Sequence, residues 1–222
     1  AYTDVDGCED DSKTAFVVNG DAPGYIAAAC RAVGAKLVHY STDYVFDGEN
    51  RSGYREDETI KKPATVYGKS KKLAEQMIED IGPRHYLIRT QWLFGASGNN
   101  FIETMLRIAG EGQPLRVVDD QFGSPTYAKD LAERVREMIE GERPSGIYHV
   151  TNGETCNWYQ FALKIFELND MHPQVTAVKS EEFAAAAKRP TYSMLINTKL
   201  PPLRPWQEAL RAYLVETGRI KE

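Results

Sequence analysis

Tyr67-Gly68-Lys69-Ser70-Lys71 gathers a phenol, a hydroxyl and an ammonium into a few residues. If Tyr67 opens a helix, Lys71 follows one turn later on the same face, with its ammonium beneath the phenol. That pairing makes a general acid. A free tyrosine titrates near ~10, and bringing it to ~7 takes roughly 4 kcal/mol of preferential stabilisation of the phenolate. A cation and a helix N-terminus both act in that direction, so the sequence predicts that Lys71 lowers the Tyr67 pKa. The spacing is common in a chain with 12 tyrosines, and its surroundings must supply the specificity. Thr42 ends the strand-like run Leu37-Val38-His39-Tyr40-Ser41-Thr42 and offers a second hydroxyl. Trp92 follows another such run and presents a flat apolar face with an N–H at its rim. Asn100 and Arg189 are natural donors to phosphate oxygens. Structural roles compete at each position: sheet propensity for Thr42, a solvated lysine run for Lys71, core packing for Trp92 and a helix cap for Asn100.

Positioning these groups requires strands that end beside helix starts. Asp21 to Val33 reads as an alanine-rich helix stopped by Gly34, and Ala35 to Thr42 as a buried strand. Asp43 to Thr65 is a long loop broken by Gly48, Gly53 and Pro63. Tyr67 to Asp80 is a helix ended by Gly82-Pro83, and Tyr86 to Thr90 the next strand. Helices over Asn100–Ala109, Tyr127–Glu140 and Asn157–Leu168 alternate with strands over Leu115–Asp119 and Gly146–Thr151. This alternation predicts an α/β fold, a doubly wound Rossmann-type parallel sheet with right-handed crossovers. In such sheets ligands bind beyond the carboxyl ends of the strands, where Thr42 and Thr90-Gln91-Trp92 fall. Glu181 to Lys188 reads as a short alanine-rich helix, and Lys188 through Pro205 is punctuated by proline. The expected division is a dinucleotide-binding domain over 1–153, with substrate-lobe insertions between 95 and 126, and a smaller carboxyl-terminal substrate lobe over 154–222. Ala1-Tyr2-Thr3 reads as the end of a strand, so a segment carrying the first strands is expected before Ala1.

Composition narrows the partners. A net charge of −5 gives no electrostatic footprint for nucleic acid, and no stretch approaches the ~20 apolar residues of a membrane helix. Cys8, Cys30 and Cys156 are odd in number and widely spaced, which suits free thiols in a reducing cytoplasm. No His or Cys cluster has metal-ligand spacing, and no metal is expected. His39, His85, His149 and His172 are isolated and read as structural.

The ordered set Ser41-Thr42-Asp43-Tyr44-Val45-Phe46-Asp47-Gly48, Tyr67-Gly68-Lys69-Ser70-Lys71 and Arg89-Thr90-Gln91-Trp92-Leu93-Phe94-Gly95 resembles the extended short-chain dehydrogenase/reductases. Within them the chain is most similar to the dTDP-4-dehydrorhamnose reductase family. Gly98-Asn99-Asn100-Phe101, Asp120-Gln121-Phe122-Gly123-Ser124-Pro125-Thr126 and Arg189-Pro190 extend the match over nearly the whole chain. The family's Gly-rich dinucleotide loop has no counterpart in these residues, and the resemblance places it in the expected preceding segment.

The resemblance implies a reductase using NADPH or NADH on a nucleotide-linked keto sugar, with a homodimer left open. Tyr67 would protonate the ketone oxygen, Lys71 would bind the nicotinamide ribose, and Thr42 would hydrogen-bond the reacting oxygen. Ala1, Tyr2 and Thr3 would run beside the cofactor, with Tyr67 and Lys71 also touching it. Thr42, Asp43, Trp92, Asn100 and Arg189 would bind substrate, Trp92 against the sugar. Asn19 heads the Asp21 helix and either caps it or positions a water or backbone group. Tyr44 stands where the related dehydratases place a glutamate, which favours ketone reduction over dehydration. The alternative is a non-catalytic regulatory subunit resembling the beta subunit of methionine adenosyltransferase; Trp92 and Gly98-Asn99-Asn100-Phe101 favour the reductase.

Overall fold

The structure is a computed structural model that describes residues 1–183 and 185–221. The chain divides into two compact units, one of residues 1–90, 143–150 and 184–200, the other of 91–142, 151–183 and 201–222.

The first unit is built on a three-stranded parallel sheet. Lys36–Thr42 pairs with Arg84–Thr90 in a register that sets Thr42 level with Thr90, and Gly146–His149 flanks the latter strand. Tyr86, Leu87 and Ile88 in the central strand are fully buried, the near-continuous apolar run expected of a parallel strand covered on both faces. Each such side chain contributes roughly 1.5–3 kcal/mol by leaving water. The helices Ala22–Val33 and Val66–Ile81 stop at Gly34 and Gly82, and Ala27 and Ile78 pack with Leu37 of the first strand. The loop after Thr42 holds a 3-10 turn, Asp43–Val45, and a short strand, Tyr54–Arg55, paired with Leu195–Ile196.

The second unit carries the helices Phe101–Gly110, Ala128–Glu140, Trp158–Leu168 and Trp206–Glu216. Its core is strongly aromatic, with Phe94, Tyr127, Phe161, Trp206 and Tyr213 all buried. Short strand pairs frame it, among them Leu115–Val118 beside Val175–Val178.

Leu115–Val118 pairs with Val175–Val178 in a two-stranded sheet of its own. Two expectations need correction. Ala1–Thr3 pairs with no strand among the described residues, and the Tyr2 backbone is bound by a side chain, as shown below. Glu181–Lys188 is not an α-helix: a 3-10 turn over Ser180–Glu182 gives way to bends, with Ala184 outside the described residues. Alanine propensity alone is too weak to close a helix that short.

Candidate active site

Thr65 starts the helix that presents Tyr67. Its side chain accepts from the Gly68 N–H at 3.0 Å, an N-cap that frees Tyr67 to point away from the helix axis. Gly68 is required by a close approach: a Cβ there would lie 2.1 Å from the Tyr44 carbonyl oxygen. The helix start therefore presses directly on the 3-10 turn that follows Thr42. As a result the Tyr67 ring meets Tyr44 edge-on at 5.6 Å, with Thr42 near enough for its hydroxyl to favour the phenolate. Thr42 Oγ1 also accepts from the Tyr44 N–H at 3.2 Å and donates to Asp43 Oδ1 at 2.9 Å. Asp43 is 2 % exposed and takes a further hydrogen bond from the Ser193 side chain. Thr42 and Asp43 are thus joined by a hydrogen bond beside Tyr67 at the carboxyl end of the Lys36–Thr42 strand.

The electrostatics differ from the sequence expectation. Burial pushes the Tyr67 phenol up to about 12, the Asp43 charge adds to the rise, and only the Thr42 hydroxyl draws it down. Lys71 does not tune it, because its ammonium donates to the Tyr40 carbonyl at 2.6 Å and contacts His39 Nε2 at 3.3 Å. The spacing did put phenol and ammonium on one helix face; the strand beneath claims the ammonium. Burial lowers Lys71 to about 8, with Glu75 opposing, and lowers His39 to about 3, with Lys71 adding to the effect. Asp43 moves the other way: burial raises its carboxyl to about 6 against the Ser193 and Thr42 hydrogen bonds.

Asn19 ties Ala1–Thr3 to the same helix. Its amide donates to the Tyr2 carbonyl and accepts from the Tyr2 N–H, both at 2.8 Å, and reaches Ser70 Oγ at 3.3 Å. Ser70 in turn donates to the Tyr67 carbonyl at 2.8 Å. Asn19 lies in a π-helical turn, Val17–Asp21, and makes no cap for the helix that follows. A widened turn of this kind is a common way to re-aim one side chain at a functional position.

Arg189 enters from the carboxyl-terminal part of the first unit. It donates to Asp6 Oδ2 at 2.6 Å, and its guanidinium holds the Asp6 carboxyl below the usual range. The neighbouring Pro190 packs on Gly48, where a Cβ would fall 2.3 Å away, so the two motifs Asp47-Gly48 and Arg189-Pro190 are in direct contact.

Trp92 and Asn100 belong to the second unit. Trp92 adopts a left-handed backbone, φ 47°, and stacks on Trp158 at 3.7 Å with 15° between the planes. Phe101 packs against the same tryptophan at 4.6 Å. Asn100 caps the Phe101–Gly110 helix, accepting from Glu103 N–H, while its amide nitrogen donates to Gly95 O and Tyr213 Oη.

Residues 1–218 match the family described as the RmlD substrate binding domain. The chain belongs to the RmlD substrate binding domain family. It is 45 % identical over 220 residues to the spore coat polysaccharide biosynthesis protein SpsK of Bacillus subtilis, covering 97 % of this chain and 77 % of that protein. It is 41 % identical over 221 residues to the dTDP-4-dehydrorhamnose reductase of Streptomyces griseus, covering 95 % and 72 %. The crystal structure of dTDP-4-dehydrorhamnose reductase from Bacillus anthracis in complex with NADP superposes with a TM-score of 0.94 at 40 % identity, covering 98 % of this chain and 78 % of that one.

In this member of the RmlD substrate binding domain family, sequence reasoning missed the layer behind the site. Arg89 and Glu75 form a fully buried pair, with Nη2–Oε2 at 2.7 Å and Nε–Oε1 at 3.0 Å, and Ser41 donates to the same carboxylate at 2.5 Å. His149 Nε2 lies 3.3 Å from Arg89 Nη1, and burial with the Arg89 charge lowers that imidazole to about 3. A signal existed: Tyr67, Lys71 and Glu75 recur at a four-residue interval, one helix face carrying three polar groups inward. The Thr90 hydroxyl, level with Thr42, is buried without a hydrogen-bond partner among the described residues.

Proposed function

We propose that this chain performs the NAD(P)H-dependent reduction of the 4-keto group of dTDP-4-dehydro-L-rhamnose, or a similar nucleotide-linked keto sugar, yielding dTDP-L-rhamnose. The observation that carries the reading is Tyr67 held against the turn that follows Thr42 at a parallel strand's carboxyl end, in a chain 40 % identical to the NADP-complexed reductase.

The residues present fit a nicotinamide coenzyme. Lys71 has three N–H donors; Tyr40 O and His39 take two, leaving one for a ribose hydroxyl. The orphaned Thr90 hydroxyl, at the carboxyl end of the central strand, is a further donor. Lys71 and the Ala1–Thr3 backbone would hold the coenzyme, which when bound supplies the hydride. Tyr67 gives its proton to the ketone oxygen as negative charge develops there, and the Thr42 hydroxyl bonds the same oxygen. With its pKa near 12 the phenol carries its proton throughout the neutral range. Asp43 fixes the Thr42 rotamer, Trp92 covers an apolar face of the sugar, and Arg189 takes the diphosphate by exchanging Asp6 for it. Asn100 reaches phosphate only by releasing Gly95 or Tyr213, which makes it the weaker of the two phosphate candidates. A cytoplasmic location and a homodimeric assembly belong to the same proposal; no described helix is long and apolar enough to cross a membrane.

The test is Tyr67→Phe in the full-length gene product, followed by nicotinamide absorbance with the keto sugar. Turnover should fall by about 10²–10⁴, the typical worth of a general acid, with coenzyme affinity retained. An unchanged rate rejects the assignment.

A further inference from the structure

Resting on the reductase reading, we infer that His39 is a positioning residue for that reaction: its imidazole and the neighbouring Tyr40 carbonyl hold the Lys71 ammonium so that a single N–H is left for the coenzyme ribose. Lys71 Nζ donates to the Tyr40 carbonyl at 2.6 Å and lies 3.3 Å from His39 Nε2. An ammonium has three donors and no lone pair, so the imidazole nitrogen must be the acceptor. That assigns the tautomer: His39 is neutral, with its proton on Nδ1 and a bare Nε2 turned to Lys71. Two consecutive residues of one strand thus engage two N–H groups, and the direction of the third is set.

Strand and helix packing fixes His39 in that place. Side chains alternate along Lys36–Thr42, which puts Leu37, His39 and Ser41 on one face. Leu37 packs with Ile78, and Ser41 donates to Glu75 at 2.5 Å, so both neighbours of His39 on that face are held by the Val66–Ile81 helix. His39 meets Lys71 of the same helix. A slip of the strand by one residue would turn all three side chains away together. Lys71 is 4 % exposed, so its donors depend on the acceptors that the strand supplies.

The arrangement makes the third donor depend on protonation. A neutral amine keeps two N–H groups, and the two strand acceptors take both. Losing one proton from Lys71 therefore withdraws the coenzyme's donor without displacing a heavy atom. The charged groups acting on the pair are Glu75 from the helix of Lys71, which favours the ammonium, and the amino group of Ala1, which with Lys71 disfavours a charged imidazole. Burial lowers both members, Lys71 to about 8 and His39 to about 3, so at neutral pH an ammonium meets a neutral ring.

The pH dependence of NADPH and NADH binding to the full-length protein, read by fluorescence, tests the role with His39→Leu and His39→Gln. Wild-type affinity should fall as pH rises through about 8. His39→Leu removes a hydrogen bond to a charged group and should lower that midpoint by at least about one pH unit, weakening binding about threefold at about pH 7.5. His39→Gln, whose amide oxygen stands in for Nε2, should keep the midpoint within about half a unit. An unmoved midpoint in His39→Leu, or an equal shift in His39→Gln, overturns the inference, since a role in packing alone predicts no difference between acceptor and non-acceptor. Absence of coenzyme binding by the wild type rejects the reductase reading and the inference with it, whereas binding with an unmoved midpoint rejects the inference alone. If the variants do not give the wild-type circular dichroism spectrum, nitrogen NMR of the wild-type imidazole decides: His39 should be neutral at about pH 7 with Nδ1 protonated and Nε2 bare, and a proton on Nε2 overturns the inference.

Discussion

Replacing Lys71 with methionine should change the pH dependence of stability in a direction opposite to that of an ordinary surface lysine. Lys71 is 4 % exposed, and burial lowers its pKa from 10.5 to about 8. Between those values the unfolded chain holds the proton and the folded chain does not, so unfolding takes up a proton and stability rises with pH. The full difference is about 2.5 pH units, or about 3.4 kcal/mol at 1.36 kcal/mol per unit. Below pH 8 the wild type bears the whole penalty, and near pH 9.5 it has recovered roughly 2 kcal/mol of it. Lys71→Met has no such penalty at any pH, although it leaves the Tyr40 carbonyl without its 2.6 Å donor at a cost of about 1–3 kcal/mol. That cost does not vary with pH and cancels in the slope. Urea unfolding of both proteins at pH 7.5 and 9.5 reads the effect, since the other titrating groups are common to both. Wild type should gain roughly 2 kcal/mol on the variant over this interval. Curves that stay parallel to within about 0.5 kcal/mol would refute the idea that this ammonium is held against a desolvation penalty.

Glu75→Ala would strand the buried Arg89 guanidinium, and urea unfolding should show a loss of about 3–5 kcal/mol, against well under 1 kcal/mol for an exposed pair such as Arg55–Asp57. Gly68→Ala would drive a methyl into the Tyr44 carbonyl, so a destabilisation of about 1–3 kcal/mol should accompany loss of turnover; a fully active variant would contradict the close approach. Trp158→Ala removes the ring on which Trp92 stacks, and KM for the nucleotide sugar should rise while kcat holds, with the stack itself worth about 1 kcal/mol in a double-mutant cycle with Trp92.

The parts of the site that rest on local rules were legible beforehand. The strand ending in Thr42, the helix carrying Tyr67 and Lys71, and the stops at Gly34 and Gly82 follow from apolar runs and breakers a few residues long. What could not be read was the partner each polar group would choose. Lys71 had the spacing to serve Tyr67, but the carbonyl of Tyr40 lies on a strand whose distance from the helix no periodicity encodes. Arg189 was read as a phosphate donor, and its pairing with Asp6 spans most of the chain. The helix Trp206–Glu216 is hidden for a simpler reason: the prolines before it read as loop punctuation, whereas Pro205 is its N-cap and pre-sets the entering backbone. The strand at Leu115 is legible locally, but its partner Val175–Val178 is not, since pairing between strands is a long-range choice.

The interval that sets Tyr67, Lys71 and Glu75 on one helix face also fixes which length changes this gene can absorb. Each residue turns an α-helix by about 100°, so one extra codon between Tyr67 and Lys71 would swing the ammonium away from Tyr40 and the carboxylate away from Arg89 together. An extra codon near Thr59, in the exposed loop, changes no such phase. Insertions and deletions among natural variants should therefore collect in that loop and be missing from the eight residues after Tyr67.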